Sequence, residues 1–183
     1  EQVKATDQTK PLNVNIHSEG GSVYEGLAIY NYLKTLNQEV NTTAVGLVAS
    51  IASVFFLAGK ERTAYSQNRV LIHLPMNIGM GNAEELESTA KDLREEEQKI
   101  ADIYVAETNF TKEEALDQMK QDKMFTTQQL LEKGFITELK EYKSVATFGK
   151  KPSKNKSNEK LNNSDMSELK YSKEEKGTIA KFL

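Results

Sequence analysis

The stretch GLVASIASVFFLAG, Gly46 to Gly59, decides how this chain is read. It is apolar, bounded by glycines and rich in alanine, yet it carries two serines, Ser50 and Ser53. A hydroxyl buried without a partner costs roughly 1–3 kcal/mol, so each serine needs a reason. The run EVNTTAVG (39–46) is β-branched and reads as a strand. SIASVFFLAG (50–59) then has the length of two to three helical turns and ends at Gly59, a candidate C-cap. The junction Val48-Ala49-Ser50-Ile51 is therefore a strand-to-helix turn. In α/β proteins such turns gather ligands, because a helix N-terminus offers free N–H groups and the positive end of its dipole. A serine there either caps the helix or holds its hydroxyl in a pocket while the next backbone N–H faces a developing oxyanion. Spacing alone favours the cap. Ser53, one turn further on, reads as a packing residue whose hydroxyl bonds back to its own helix.

Working outward, PLNVNIHSEGGS (11–22) is a strand in which Leu12, Val14 and Ile16 alternate with polar residues and Gly-Gly ends the run. VYEGLAIYNYLKTL (23–36) has helical spacing. RTAYSQNRVLIHLP (62–75) reads as one strand centred on Val70, Leu71 and Ile72 and stopped by Pro75. Asn82 then caps a helix of about 25 residues, with Glu84 and Glu85 in its first turn and an apolar stripe of Leu86, Ala90, Leu93, Ile100 and Tyr104. TKEEALDQMKQ and TTQQLLEKG are shorter helices with threonine caps, and FITEL (135–139) is a closing strand. Strands alternating with helices predict an α/β domain with a mostly parallel sheet. From Ser144 the chain turns Lys/Asn/Ser-rich with little to bury, so a folded domain over 1–143 is expected to be followed by a disordered C-terminal tail over 144–183.

Composition excludes several classes. The 183 residues contain no cysteine, so no disulfide framework, thiolate metal site or cysteine nucleophile exists. Two histidines, His17 and His73, with no cysteine fall short of the usual ligand set of a structural zinc site, and no metal or cofactor is expected. Net charge is -3, but residues 150–183 hold nine lysines against five acids, which leaves the body more acidic still. An acidic body argues against nucleic acid. No run approaches the ~18 apolar residues of a membrane span, so neither a membrane partner nor a signal peptide is expected, and the setting reads as cytoplasmic.

Two further features bear on chemistry. His73 ends an apolar strand just before a proline turn, again on a carboxyl edge. Alone it would read as an edge residue, but a serine and a histidine on two carboxyl edges of one sheet are less easily accidental. His17 has no expected part in the chemistry. A third, imidazole-orienting carboxylate is required, and spacing does not choose among Asp92, Asp102, Asp117 and Asp122. The EGGS turn (19–22) lets backbone N–H groups approach a ligand closely, although an ordinary βα turn would use the same glycines. Nucleophile, base and oxyanion donors together describe acyl transfer.

In this order the motifs resemble the Clp protease proteolytic subunit family, with its phage head maturation (prohead) branch. The family's NSPGGS/D…GLAIYN appears as HSEGGSVYEGLAIYN (17–31), and its G-x-AAS-x-x-A as GLVASIAS (46–53). Its IHxP appears as LIHLP (71–75), and its DRFMSAEEAxEYGLID as DKMFTTQQLLEKGFIT (122–137). The resemblance covers about residues 12–139. It implies a ClpP/crotonase-like α/β fold whose long handle helix packs rings of subunits together. It implies an ATP-independent serine endopeptidase in which Ser50 is the nucleophile, His73 the base and Asp122 the orienting acid. Gly20, Gly21 and the Ile51 N–H match the oxyanion hole.

The wording ASIASVFF resembles the phage branch. That implies scaffold or capsid precursors, and the protein's own tail, as polypeptide substrates in the bacterial host cytoplasm, and a homo-oligomeric ring. The alternative is a housekeeping proteolytic subunit fed by an ATP-driven unfoldase. No upstream unit with the family's axial docking loop is visible, which argues against the unfoldase partner. The family's Asn and Pro in NSPGG are His17 and Glu19 here, so the turn departs from the pattern. An acyl-CoA enzyme of the crotonase superfamily shares the glycine turn but has no use for a serine nucleophile. A non-catalytic shell or scaffold protein is the remaining class.

Overall fold

A computed structural model describes residues 9–141. The tail and the domain boundary expected at 143/144 lie outside the described residues. The first strand, β1 (Leu12–Ser18), buries its residues alternately, as its period of two requires. It leads through the Gly-Gly turn into α1 (Val23–Lys34), whose cap is the Ser22 hydroxyl accepting from the Glu25 N–H. Then follow β2 (Val40–Ala49), the short α2 (Ile51–Phe56), β3 (Glu61–Tyr65) and β4 (Arg69–Ile72). The long α3 (Ala83–Glu107), α4 (Lys112–Gln121), β5 (Lys123–Phe125), α5 (Thr127–Glu132) and β6 (Glu138–Lys140) complete the element order.

All pairings in the six-stranded sheet are parallel except β4 with β5. β2 is the central strand. One edge carries β1; the other carries β3 along Asn41–Ala44 and then β4 along Leu47–Ala49. The segment read as one strand over 62–75 is therefore two, because Asn68 turns the chain: its side chain accepts from the Tyr65 N–H and its own N–H bonds the Tyr65 carbonyl. β5, three residues long, had no periodicity to announce it.

Between Ile16 and Ser18 the β1–β2 register shifts, β2 advancing from Ala44 to Val48 while β1 moves two residues. His17 fills the irregularity: its Nδ1 accepts from the Leu47 N–H at 3.0 Å. A side chain on Gly46 would come within 2.5 Å of that nitrogen. His17 thus holds the strand that carries Ser50, a structural part the sequence did not suggest.

The α2 helix also stops earlier than its apolar run implied. Phe56 is its last residue and Leu57 its right-handed C-cap. Gly59 is not a cap; it is glycine because a Cβ there would meet Thr42 Oγ1 at 2.3 Å. Gly26 has a similar reason, since a Cβ would strike Ile51 at 2.2 Å. This close approach seats α1 on the start of α2.

α3 begins with the expected cap, a capping box between Asn82 and Glu85. Its burial differs from the expected stripe. Ile100, Ala101 and Tyr104 are buried, whereas Leu86 remains 45% exposed and no residue before Ile100 is buried within this chain. The buried end is anchored twice. Glu107 accepts from the Tyr30 hydroxyl and pairs with Lys34 at 2.7 Å, tying α3 to α1. Arg62 donates to the carbonyls of Gly59, Glu107, Gly134 and Phe135, joining β3 to α3 and to the turn before β6. These anchors fix where Tyr104 enters the core, beside Phe135.

Candidate active site

Ser50 occupies the turn between β2 and α2 with φ 57 and ψ −134, one of two non-glycine residues at positive φ among those described. Such a conformation costs an L-residue on the order of 1–3 kcal/mol and persists only where its surroundings over-determine it. Here they do. The Ser50 N–H continues the β2–β4 ladder to the Leu71 carbonyl at 2.9 Å. Its own carbonyl accepts from the Ser53 N–H at 3.0 Å and from Ser53 Oγ at 2.5 Å. On the third side lies Gly20, where a Cβ would sit 2.6 Å from Ser50 Cβ and 2.8 Å from the Ala49 carbonyl. The Ser50 hydroxyl itself makes no capping bond and has no partner among the described residues. The cap reading is thereby replaced: the hydroxyl does not serve the helix.

Ser50 and His73 line one cavity, with Val23, Ile51, Ile100 and Tyr104 among its other walls. It measures about 10 Å³, room for roughly one water. His73 follows the last residue of β4, and its neighbour Leu74 is tied to α4 by an N–H bond to the Met119 carbonyl at 3.0 Å. His73 Nδ1 lies 2.6 Å from the Leu74 carbonyl oxygen. A carbonyl can only accept, so Nδ1 carries the proton and Nε2 is the basic nitrogen of the neutral ring. A general base bonded through Nε2 requires that tautomer.

Asp122 is the left-handed C-cap of α4, at φ 50 and ψ 45. The antiparallel β4–β5 register pairs Ile72 with Lys123, so Asp122 lies one step beyond, across from His73. It is exposed and makes no hydrogen bond or ion pair among the described residues. The structure thus brings Ser50 and His73 to one cavity; Asp122 is not among the residues that line it and makes no bond to the imidazole. The three other aspartates weighed, Asp92, Asp102 and Asp117, lie on α3 and α4; Asp102 pairs with Lys112 and Asp117 accepts from Gln121.

Among the expected oxyanion donors, the Gly20 N–H is engaged by Ser18 Oγ at 3.1 Å. The N–H groups of Gly21 and Ile51 carry no bond among the described residues. Gly21 has φ 146 and open space around the position of a Cβ. Sequence reasoning had no means of finding three contributors. The Leu74 carbonyl and the Ser18 hydroxyl are generic groups, and Tyr104 is 51 residues from Ser53, to whose Oγ it bonds at 2.7 Å. Tyr104 read as one more member of an apolar stripe.

Among the described residues no cluster of His, Asp or Glu could hold a metal ion, and no helix is long and apolar enough to cross a membrane.

Comparison with known proteins bears on the same region. The family model described as Clp protease matches residues 2–143. An ATP-dependent Clp protease proteolytic subunit of Bacteroides fragilis is 32% identical over 137 residues, covering 74% of this chain and 66% of the relative. One from Dehalococcoides mccartyi is 30% identical over 135 residues, 73% of this chain and 68% of its own. The proteolytic subunit 2 of Tropheryma whipplei is 27% identical over 140 residues, 75% and 78%. The chain spans just under two thirds of the Bacteroides fragilis relative's length.

Proposed function

Because the chain belongs to the Clp protease family, we propose that it is a serine peptidase subunit of the Clp type, acting on polypeptides in a homo-oligomer. The observation that carries this reading is Ser50, held at φ 57 with an unbonded hydroxyl in a cavity shared with His73. In the proposed reaction Ser50 Oγ attacks the scissile carbonyl and His73 Nε2 takes its proton, later delivering it to the leaving amine. The N–H groups of Gly21 and Ile51 stabilise the tetrahedral oxyanion. In the working assembly Asp122 replaces the Leu74 carbonyl as the acceptor of the Nδ1–H hydrogen bond, because a carboxylate stabilises the imidazolium better than a neutral carbonyl does.

The relatives' names, ATP-dependent Clp protease proteolytic subunits, favour the housekeeping alternative, the proteolytic subunit of an ATP-dependent protease. They favour it over the head-maturation reading, which rests on the wording ASIASVFF and on the basic C-terminal composition. The two differ in substrate and not in chemistry. A fluorophosphonate probe tests the shared chemistry: the full chain labels, and Ser50→Ala does not. Labelling that survives Ser50→Ala, or a wild-type oligomer that never labels, refutes it. Intact-mass analysis of scaffold precursor and of an unfolded chain, each incubated with the labelling-competent protein, then separates the substrates.

A further inference from the structure

Ser53 and Tyr104 have no role in the reaction just proposed, yet they form a fully buried polar contact beside it. Ser53 is fully buried and Tyr104 is 1% exposed. Their oxygens are 2.7 Å apart, and Ser53 Oγ is also 2.5 Å from the Ser50 carbonyl oxygen. Proton counting gives the chain a direction. The Ser50 carbonyl can only accept, so the single Ser53 hydroxyl proton goes there. The bond to Tyr104 must then be donated by Tyr104. The sequence of donors is Tyr104 O–H to Ser53 Oγ–H to Ser50 C=O.

That carbonyl belongs to the Ser50–Ile51 peptide. The peptide is planar and trans, so fixing its oxygen fixes the opposed direction of the Ile51 N–H. Two hydrogen bonds on the oxygen, one of them the end of a chain, also polarise the unit and strengthen its N–H as a donor. The lock reaches the cavity from α3, because Tyr104 is set by the anchors at Glu107 on the same helix.

We propose that Tyr104 and Ser53 are positioning residues that pin the Ser50–Ile51 peptide plane and so aim the Ile51 N–H at the tetrahedral intermediate. This rests on the serine-peptidase reading above. It assigns the second serine of the GLVASIAS motif, and a tyrosine on a separate helix, to the oxyanion hole.

The test is the saturation kinetics of fluorophosphonate labelling in the full chain for wild type, Tyr104→Phe, Ser53→Ala and the double variant. Tyr104→Phe keeps the ring and its packing against Phe135 and removes only the hydroxyl. The limiting labelling rate constant is expected to fall about 10- to 100-fold in each single variant, the scale set by a small misplacement of catalytic groups. The pH midpoint stays unchanged, because neither substitution alters a bond of His73, and Ser53→Ala, at a position that does not line the cavity, leaves the half-saturating probe concentration unchanged as well. The double variant is expected to lose no more than the worse single one, since both act through one carbonyl. A purely structural role would instead lower the fraction of protein that labels while the labelled fraction reacts at the wild-type rate, and that result overturns the proposal. Strictly multiplicative losses in the double variant overturn it too. A wild type that never labels defeats the peptidase reading itself, which separates the two failures.

Discussion

Ser50 and Asp122 are the two non-glycine residues at positive φ among those described, at 57 and 50, and they are held in opposite ways. Ser50 combines that φ with ψ −134, a strained pairing, and is fixed by a ladder bond, two bonds to its carbonyl and the bare backbone of Gly20. Asp122 has ψ 45, the ordinary left-handed region that Asp tolerates well, and no group among the described residues binds its carboxylate. One position is over-determined and the other is free. A nucleophile must be aimed before substrate arrives, whereas an acid that orients an imidazole can join when the site closes. For now the Leu74 carbonyl keeps the His73 tautomer in its place.

Asp122→Asn tests the free side and carries the largest effect expected while Ser50 is kept. Labelling should slow by about 10²-fold or more, because an amide cannot stabilise the imidazolium. Stability should stay within about 0.5 kcal/mol, as for an exposed residue without partners. An unchanged labelling rate would mean that the Leu74 carbonyl suffices and that Asp122 is only a helix cap. Gly20→Ala probes the rigid side. A Cβ at φ 97 and 2.6 Å from Ser50 Cβ should cost about 2 kcal/mol in urea unfolding and slow labelling with it. Wild-type values on both counts would show that the wall around Ser50 yields.

Glycine substitution then measures the strain directly. Ser50→Gly removes labelling but should raise unfolding free energy by roughly 0.5–1 kcal/mol, the relieved strain less the entropy of a more flexible unfolded chain. Asp122→Gly should be near neutral by the same arithmetic. Equal shifts in the two variants would erase the distinction between the positions. The smallest effect concerns the anchor of α3. Burial would raise the Glu107 carboxyl, but hydrogen bonds from Lys34 and Tyr30 outweigh it and hold the group below its ordinary 4.5. A depressed folded value means stability present above the unfolded value and lost as pH falls through the folded one. Acid unfolding of Glu107→Gln should therefore be flatter below the ordinary carboxylate range, by no more than about 1 kcal/mol. A steeper acid transition than wild type would reverse the assignment.

Legibility followed sequence distance. The 25-residue α3, the threonine caps of α4 and α5 and the alternation of β1 were readable, because each depends on neighbours within a turn or a strand. The same locality misled where an apolar run seemed continuous. One strand over 62–75 became two once Asn68 turned the chain, and Gly59 owed its identity to Thr42 on another strand and not to the end of α2.

The sequence by itself determined the alternation of elements, the strand-to-helix turn at Ser50 and the placing of His73 on a neighbouring carboxyl edge, since these follow from periodicity and turn chemistry. Its motifs in order also pointed to the Clp protease family, and the match over residues 2–143 shows that family but no branch within it. The sequence also separated the two serines, reading Ser53 as bonded back to its own helix, which it is; only the tertiary structure showed what holds each in its part. Ser50 is released from capping because its backbone is held by Leu71, Ser53 and Gly20, and Ser53 is consumed because Tyr104 reaches it from 51 residues away. Position in the turn told the two serines apart; the partners that fix them, Leu71, Gly20 and Tyr104, are distant in sequence and are brought together only when the chain folds.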